Sequence, residues 1–496
     1  MKILIIQLAR LGDVFLTWPA IKAYKRNHPD AQIDLLTRPR FADGAVGLKE
    51  VTQVHCIPTK AILAPLVSDL VDVDLSRTLL RKFISVLKEE KYDLVVNMTF
   101  SPFSSYLTHA LEQEGAKVIG YSRHSDGFLS IPDDMSAYFY AQAGKNRPNR
   151  YHLADIFGSL LEVDLQAQDW HVDLAELPAM NANVQEELQS HAAIAENSIV
   201  IQIGTSESKK SLSVHFWGRL VAALQAVRKE SIVLIGSDSE KKYSEDIMAY
   251  CGPENLINLV GKTKVSDLFH LIKSAKLVIG GDSVAQHIAS LCETKSLNLS
   301  SMHVNFWETG PRAKGSYVFR FENEEQLNTN EIVLNIISML QNENLAKPYI
   351  RVIEDRPSYI SEDSMSSNYR WNLVKALYLQ ENFPLIMEED TYIGFERLHE
   401  VAVVLFEQYE KISAGVDIEK LRSIIDRADE IVAVMEKLCP DIGPVVRWYQ
   451  TEKARMAPDS EKKVAGKLMD LTKKLLQICE VYVQVEDKHG NAELQK

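Results

Sequence analysis

The sequence predicts two doubly wound α/β domains followed by an all-helical region, on three observations. Short runs rich in Ile, Val and Leu alternate with helical stretches, once over residues 2–120 and again over 198–299. Those runs end in loops of Gly, Asp, Ser and Lys, where a parallel sheet presents its functional residues. Beyond about residue 365 the strands stop and apolar residues recur at spacings of three and four. The expected domains are 1–150, 151–345 and 346–496.

In order, residues 2–8 (KILIIQL) read as a buried parallel strand. The turn Ala9-Arg10-Leu11-Gly12-Asp13 follows, then a helix over 14–27. Strands are expected at 32–36, 91–98 and 117–120. Asn146-Arg147-Pro148-Asn149 marks a linker, and 151–161 reads as a helix. The second series has strands at 198–203, 232–235, 256–260, 277–279 and 296–299. In the last region Phe395, Leu398, Ala402, Leu405, Tyr409 and Ile412 form one stripe. Ile418, Leu421, Ile425, Ala428, Val432 and Met435 form another, and Val464, Leu468, Leu471, Leu475, Ile478 and Tyr482 a third. Gly415, Pro440 and Pro458 stand between them, so a helical bundle is expected.

The 496 residues are 46% hydrophobic and 25% charged, ordinary for a globular protein, with a net charge of -13 that opposes nucleic-acid binding. Cysteines 56, 251, 292, 439 and 479 form no CxxC pair, so neither a disulfide framework nor a zinc site is expected. Residues 3–8 are too short an apolar run for a signal peptide, and Arg10 and Asp13 follow at once. A cytoplasmic protein is expected.

Four strand-end loops carry the chemistry. After the first strand come Arg10, Gly12 and Asp13; alone, Asp13 is best read as a helix-start acid. Gly204-Thr205-Ser206-Glu207-Ser208-Lys209-Lys210 offers hydroxyls and a cation suited to phosphate oxygens, or simply a solvated loop. Glu240 stands after the next strand, and Thr263 in the stretch Leu259-Val260-Gly261-Lys262-Thr263, which lacks the frame of a P-loop. Residues 277–292 (LVIGGDSVAQHIASLC) read as strand, tight turn and helix, with Asp282 or Ser283 at the N-cap. A helix N-terminus there could seat a phosphate, and an ordinary capped junction fits equally well.

Together these loops resemble glycosyltransferase family 9, the ADP-heptose:lipopolysaccharide heptosyltransferases. Gly12-Asp13-Val14-Phe15-Leu16-Thr17-Trp18-Pro19-Ala20 is similar to the family's N-terminal motif. Asp282-Ser283-Val284-Ala285-Gln286-His287 is similar to its Asp-Thr/Ser-Gly-x-x-His, with Val284 where the family has Gly. Lys210 lands on the family lysine, although Leu212-Ser213 replace the usual Trp-Pro. Trp307 and Thr309-Gly310-Pro311 also fit. The resemblance covers about residues 1–325 and does not reach the helical region.

The resemblance implies a GT-B fold, two Rossmann-like domains facing a cleft, here with an added C-terminal α-helical bundle. It implies an inverting, metal-independent transferase in which Asp13 is the catalytic base, with Arg10 and Gly12 in the acceptor-side loop. Thr205, Ser206, Lys210, Glu240, Thr263, Asp282, Ser283 and His287 would bind the donor, ADP-heptose, which is a substrate; no cofactor is implied. The acceptor would be a lipopolysaccharide-type or other glycan, lipid-linked or not. A same-fold transferase acting on a protein, and a non-catalytic sugar-nucleotide or partner-binding protein, stay open as alternatives. So do peripheral contact with the cytoplasmic face of the inner membrane and a bundle that binds a partner or self-associates. Asp72-Val73-Asp74 imitates the Asp-x-Asp of metal-dependent transferases but lies in no strand-end loop, and reads as a solvated face.

Overall fold

In the computed structural model, residues 1–190, 198–205, 207, 210–343, 345, 349–353, 356–357 and 365–490 are described. Contacts divide the chain into two compact units. One joins Met1–Met98 to Tyr151–Ser361; the other joins Thr99–Arg150 to Glu362–Lys496.

The first unit holds two parallel sheets. In one, β1 (Lys2–Ile6), β2 (Gln32–Thr37), β3 (Val51–Cys56) and β4 (Leu94–Asn97) stand in the order β3-β2-β1-β4. Ile3, Leu4, Ile5 and Ile6 are fully buried, which is why β1 reads as an unbroken apolar run rather than an alternation. The edge strand β3 is additional to the strands expected from the sequence. Its sequence VTQVHC is largely outward-facing, so it carries no core signal.

The second sheet comprises β5 (Ile199–Gln202), β6 (Ile232–Ile235), β7 (Leu256–Asn258), β8 (Leu277–Gly280), β9 (Ser296–Ser301) and β10 (Tyr317–Phe321). Their order is β7-β6-β5-β8-β9-β10, all parallel, followed by the antiparallel strand Tyr349–Ile353 and, at the edge, the short strand Arg356–Pro357. Strand order therefore reverses between β5 and β8. A doubly wound sheet leaves a crevice at that switch point, beyond the carboxyl ends of the strands. The loops carrying Lys210 and Asp282 follow β5 and β8. β7 ends at Asn258, two residues sooner than the apolar run, because the Asn258 side-chain oxygen accepts the Val260 N–H and turns the chain.

The two sheets are joined by an aromatic cluster. Phe15 and Trp18 lie on the helix Leu11–Asn27 after β1, and Phe269 on the helix Val265–Ser274. Trp18 stacks on Phe269 at 5.4 Å and 15°, and Phe15 meets Phe269 edge-on at 5.6 Å. All three are buried, and the Trp18 indole N–H donates to the Gly44 carbonyl at 2.7 Å. Truncating such a ring costs about 3–5 kcal/mol.

The second unit is mainly helical, with the expected strand Lys117–Gly120 and a short hairpin of Ser122–Arg123 and Leu129–Ser130. The helices Glu389–Ser413 and Glu461–Gly490 pack along each other, and Phe395 meets Tyr482 at 4.3 Å. The stripe from Phe395 to Ile412 faces inward as its spacing requires. The buried helix Gly443–Ala454 contacts the helix Asp134–Gln142. There the Gln142 amide donates to the Pro444 carbonyl at 3.0 Å, and Tyr138 meets Tyr378 edge-on. Among the described residues no helix is long and apolar enough to cross a membrane.

Candidate active site

The helix after β1 begins at Leu11, three residues sooner than its apolar spacing suggests. Arg10 is the extended residue before it and contributes no side-chain cap. Asp13 therefore sits in the first turn, where the helix dipole favours a carboxylate. Despite that, its pKa rises from 3.8 to about 6. Desolvation is the main cause and the neighbouring Asp282 adds to it. Arg10, through its charge and its backbone N–H, and Lys210 offset part of the rise. Asp13 is half-buried and keeps an opening to solvent.

Across from it, Lys210 Nζ donates to Asp282 Oδ2 at 3.0 Å, and Thr309 Oγ1 donates to Asp282 Oδ1 at 2.8 Å. The lysine and the aspartate are largely shielded, at 11% and 14% exposure. Asp282 is thus held at both oxygens and does not cap the helix Val284–Leu291. Ser283 is the N-cap residue, yet its hydroxyl makes no capping bond and is buried without a partner among the described residues. The first N–H groups of that helix have no side-chain cap, an arrangement suited to an incoming anion.

His287, on the same helix, is buried, and desolvation lowers its pKa, so the imidazole is neutral near pH 7. It lies against the Asp13 loop: a Cβ added to Gly12 would stand 2.9 Å from His287 Cδ2. Gly12 is needed for close approach of the two elements, not for an unusual backbone angle. A second bridge between the loops is the exposed ion pair of Arg10 and Glu207 at 2.6 Å.

The remaining candidates spread along the strand ends. Thr205 Oγ1 donates to the Glu207 carbonyl at 2.8 Å and lies 3.0 Å from Ser211 Oγ, shaping the loop. Its methyl also limits Gly281, where an added Cβ would be 3.1 Å away. Ser206 lies outside the described residues. Glu240 folds back to accept the Ser237 N–H at 2.6 Å, and its carboxylate occupies the space a Cβ on Gly204 would fill. Glu240 thereby meets the β5 loop, which explains the glycine there. Thr263 is half-buried in the loop before Val265–Ser274. Val284 opens its helix and is absent from the residues with positive φ, so the substitution for Gly imposes no backbone strain.

Two neighbours escaped the candidate set. Thr309 was visible only as part of a motif, not as a partner of Asp282. His152 is buried with Nε2 3.1 Å from the Gly310 carbonyl, and burial together with Arg312 and His287 holds its pKa well below the usual value. Nothing in the linear sequence distinguishes it.

The family model for glycosyltransferase family 9 (heptosyltransferase) matches residues 80–331, just over half of the chain. Lipopolysaccharide heptosyltransferase 3 of Escherichia coli is 25% identical over 350 residues, covering 66% of this chain and 92% of that protein. The glycosyl transferase family 9 structure from Veillonella parvula superposes with a TM-score of 0.54 at 14% identity, over 69% of this chain and 98% of that one. The Escherichia coli ADP-heptose lps heptosyltransferase II gives 0.50 at 16%, over 69% and 99%. These superpositions speak for the GT-B fold. Polar strand-end loops meeting at the switch point of a doubly wound sheet, on a chain that the family model spans for half its length, make this protein a nucleotide-sugar glycosyltransferase, and it belongs to glycosyltransferase family 9.

Proposed function

We propose that the protein transfers heptose from ADP-heptose to a lipopolysaccharide-type acceptor, with inversion and without a metal ion. One observation carries the reading: a carboxyl with a pKa near 6, at Asp13, shares its field with the Lys210–Asp282 pair. A general base works best when its pKa lies near the working pH. Asp13 takes the proton of the acceptor hydroxyl, whose oxygen bonds to the anomeric carbon as the bond to the diphosphate breaks. Charge then builds on the diphosphate. Lys210, Ser283 and the uncapped N–H groups of the helix Val284–Leu291 stabilise it, an electrostatic contribution that is preorganised before reaction. Thr309 holds Asp282, which holds Lys210 in place. Glu240, Thr205, Thr263 and His287 complete the donor pocket, and Arg10 and Gly12 form the acceptor-side edge.

Metal independence draws support from the Asp-x-Asp imitation being otherwise engaged. Asp72 accepts the Leu75 N–H at 2.8 Å, and Asp74 pairs with Arg77 at 2.7 Å. The names of the relatives supply the heptose and the lipopolysaccharide, and a charged nucleotide-sugar donor supports a cytoplasmic reaction.

The test is a donor panel read by thermal shift, followed by nucleoside-diphosphate release with and without acceptor. ADP-heptose should stabilise the protein most, since binding shifts the melting point by mass action. A different nucleotide sugar giving the larger shift replaces the donor and leaves the mechanism standing. Activity lost to EDTA and restored by Mn²⁺ overturns metal independence.

A further inference from the structure

The helix Arg422–Leu438 presents two apolar stripes, and among the described residues only one is used inside the bundle. The inner stripe, Leu421, Ala428, Val432 and Met435, is buried. The outer stripe runs Ile424, Arg427, Ile431, Val434, Leu438, at spacings of three, four, three and four. That is the a/d spacing of a coiled-coil seam. Its apolar members are exposed at 44%, 43%, 46% and 78%, and Arg427 is exposed between them.

The charges of this helix separate in the same way. Asp429 pairs inward with Lys453 at 2.6 Å, and Glu436 pairs with Arg447. Arg422 is taken by Glu419 and Asp426. Glu430 and Lys437 flank the outer stripe on one side, are exposed, and hold no ion pair among the described residues. With Ile424, Ile431 and Leu438 at a positions, both are g positions, and they carry opposite charge.

We propose that the outer face of Arg422–Leu438 is a self-association surface, on which the same helix of a second copy docks antiparallel about a two-fold axis. The two-fold places Ile431 against Val434 of the partner subunit and Leu438 over the aliphatic stem of the partner's Arg427. Side chains at g face g in an antiparallel pair, so Glu430 meets the partner's Lys437 twice, once on each side of the axis. A parallel pair would set g against e. Those positions, Ala428 and Met435, are buried in the bundle, so no charge pair would form. Two copies of a self-complementary seam satisfy the isologous rule of a two-fold interface. With only two heptads, the pairing is weak and reversible, an association in the micromolar range rather than an obligate dimer.

The full-length protein in sedimentation velocity should show a monomer–dimer equilibrium that moves toward dimer from about 1 to 100 µM, with unchanged donor binding. Ile431→Asp should abolish the dimer. Lys437→Glu should weaken it at least tenfold by setting like charges opposite each other. The double variant Glu430→Lys/Lys437→Glu exchanges the partners and should restore it. Circular dichroism that matches the parent keeps misfolding out of the reading. A protein that stays monomeric at 100 µM overturns the proposal. A dimer that Lys437→Glu weakens and the charge exchange does not rescue overturns the antiparallel arrangement.

Discussion

Replacing Asp13 with Asn tests the base assignment through stability as well as rate. The folded carboxyl titrates near 6, against 3.8 when free. Folding therefore favours its protonated form, and the ionised form is penalised by about 3 kcal/mol at most, from about 1.4 kcal/mol per pKa unit. The opening of Asp13 to solvent makes that figure a ceiling. Below pH 4 both states are protonated and the penalty vanishes; it grows as pH rises from 4 to 6 and is complete above 6. Asn carries no charge at any pH. Asp13→Asn should therefore be more stable than the parent at pH 7.5, and roughly half of that advantage should remain at pH 5. Urea denaturation at the two pH values measures it. Turnover should fall by about two orders of magnitude or more, and the parent's kcat/KM should drop about tenfold per pH unit below 6. If the variant gains no stability at either pH and the parent's rate is flat from pH 5 to 8, Asp13 ionises like a surface aspartate. Its carboxyl is then not tuned by burial, and a turnover of Asp13→Asn equal to the parent's would remove it from the role of base.

Lys210→Ala should weaken ADP binding about ten- to a hundred-fold in calorimetry and leave adenosine nearly unchanged, because a charge-assisted contact is worth about 1.5–3 kcal/mol; equal losses for both ligands would make the lysine structural. Gly12→Ala forces a methyl to within 2.9 Å of His287. Overpacking of this kind costs about 1–3 kcal/mol, and the double variant Gly12→Ala/His287→Ala should recover most of it, so a cycle with no coupling refutes the contact. Truncation near residue 345 removes the helix Gly443–Ala454 that covers Asp134–Gln142. The product should be insoluble, and a folded fragment that binds donor would show that cover to be dispensable.

The parallel strands were legible because both their faces are buried, which leaves continuous apolar runs such as Leu277-Val278-Ile279. The three bundle stripes were legible because each helix buries one face. Strand β3 was hidden by its outward residues. The pairing of Lys210 with Asp282 follows from the switch point, which needs the strand order and not merely the strands. The Gly12–His287 contact joins residues 275 positions apart, and no local pattern encodes it. Asp134–Gln142 is a further case. Ala137, Tyr138, Phe139, Ala141 and Gln142 are all buried, so the helix has no polar face from which to guess its neighbour. The sequence shows that such a helix must be covered, not that its cover stands some 300 residues further on.

Thr99–Arg150 leaves the ribosome long before Glu362–Lys496, with which it forms one compact unit, has been made. About 210 residues separate the two stretches. At roughly 5–20 residues per second, that is on the order of ten to forty seconds of synthesis. During that interval Tyr138 and Gln142 lack their later partners Tyr378 and Pro444. The nascent chain is thus most prone to aggregate midway through translation, and it should depend on a holding chaperone until its last helices arrive.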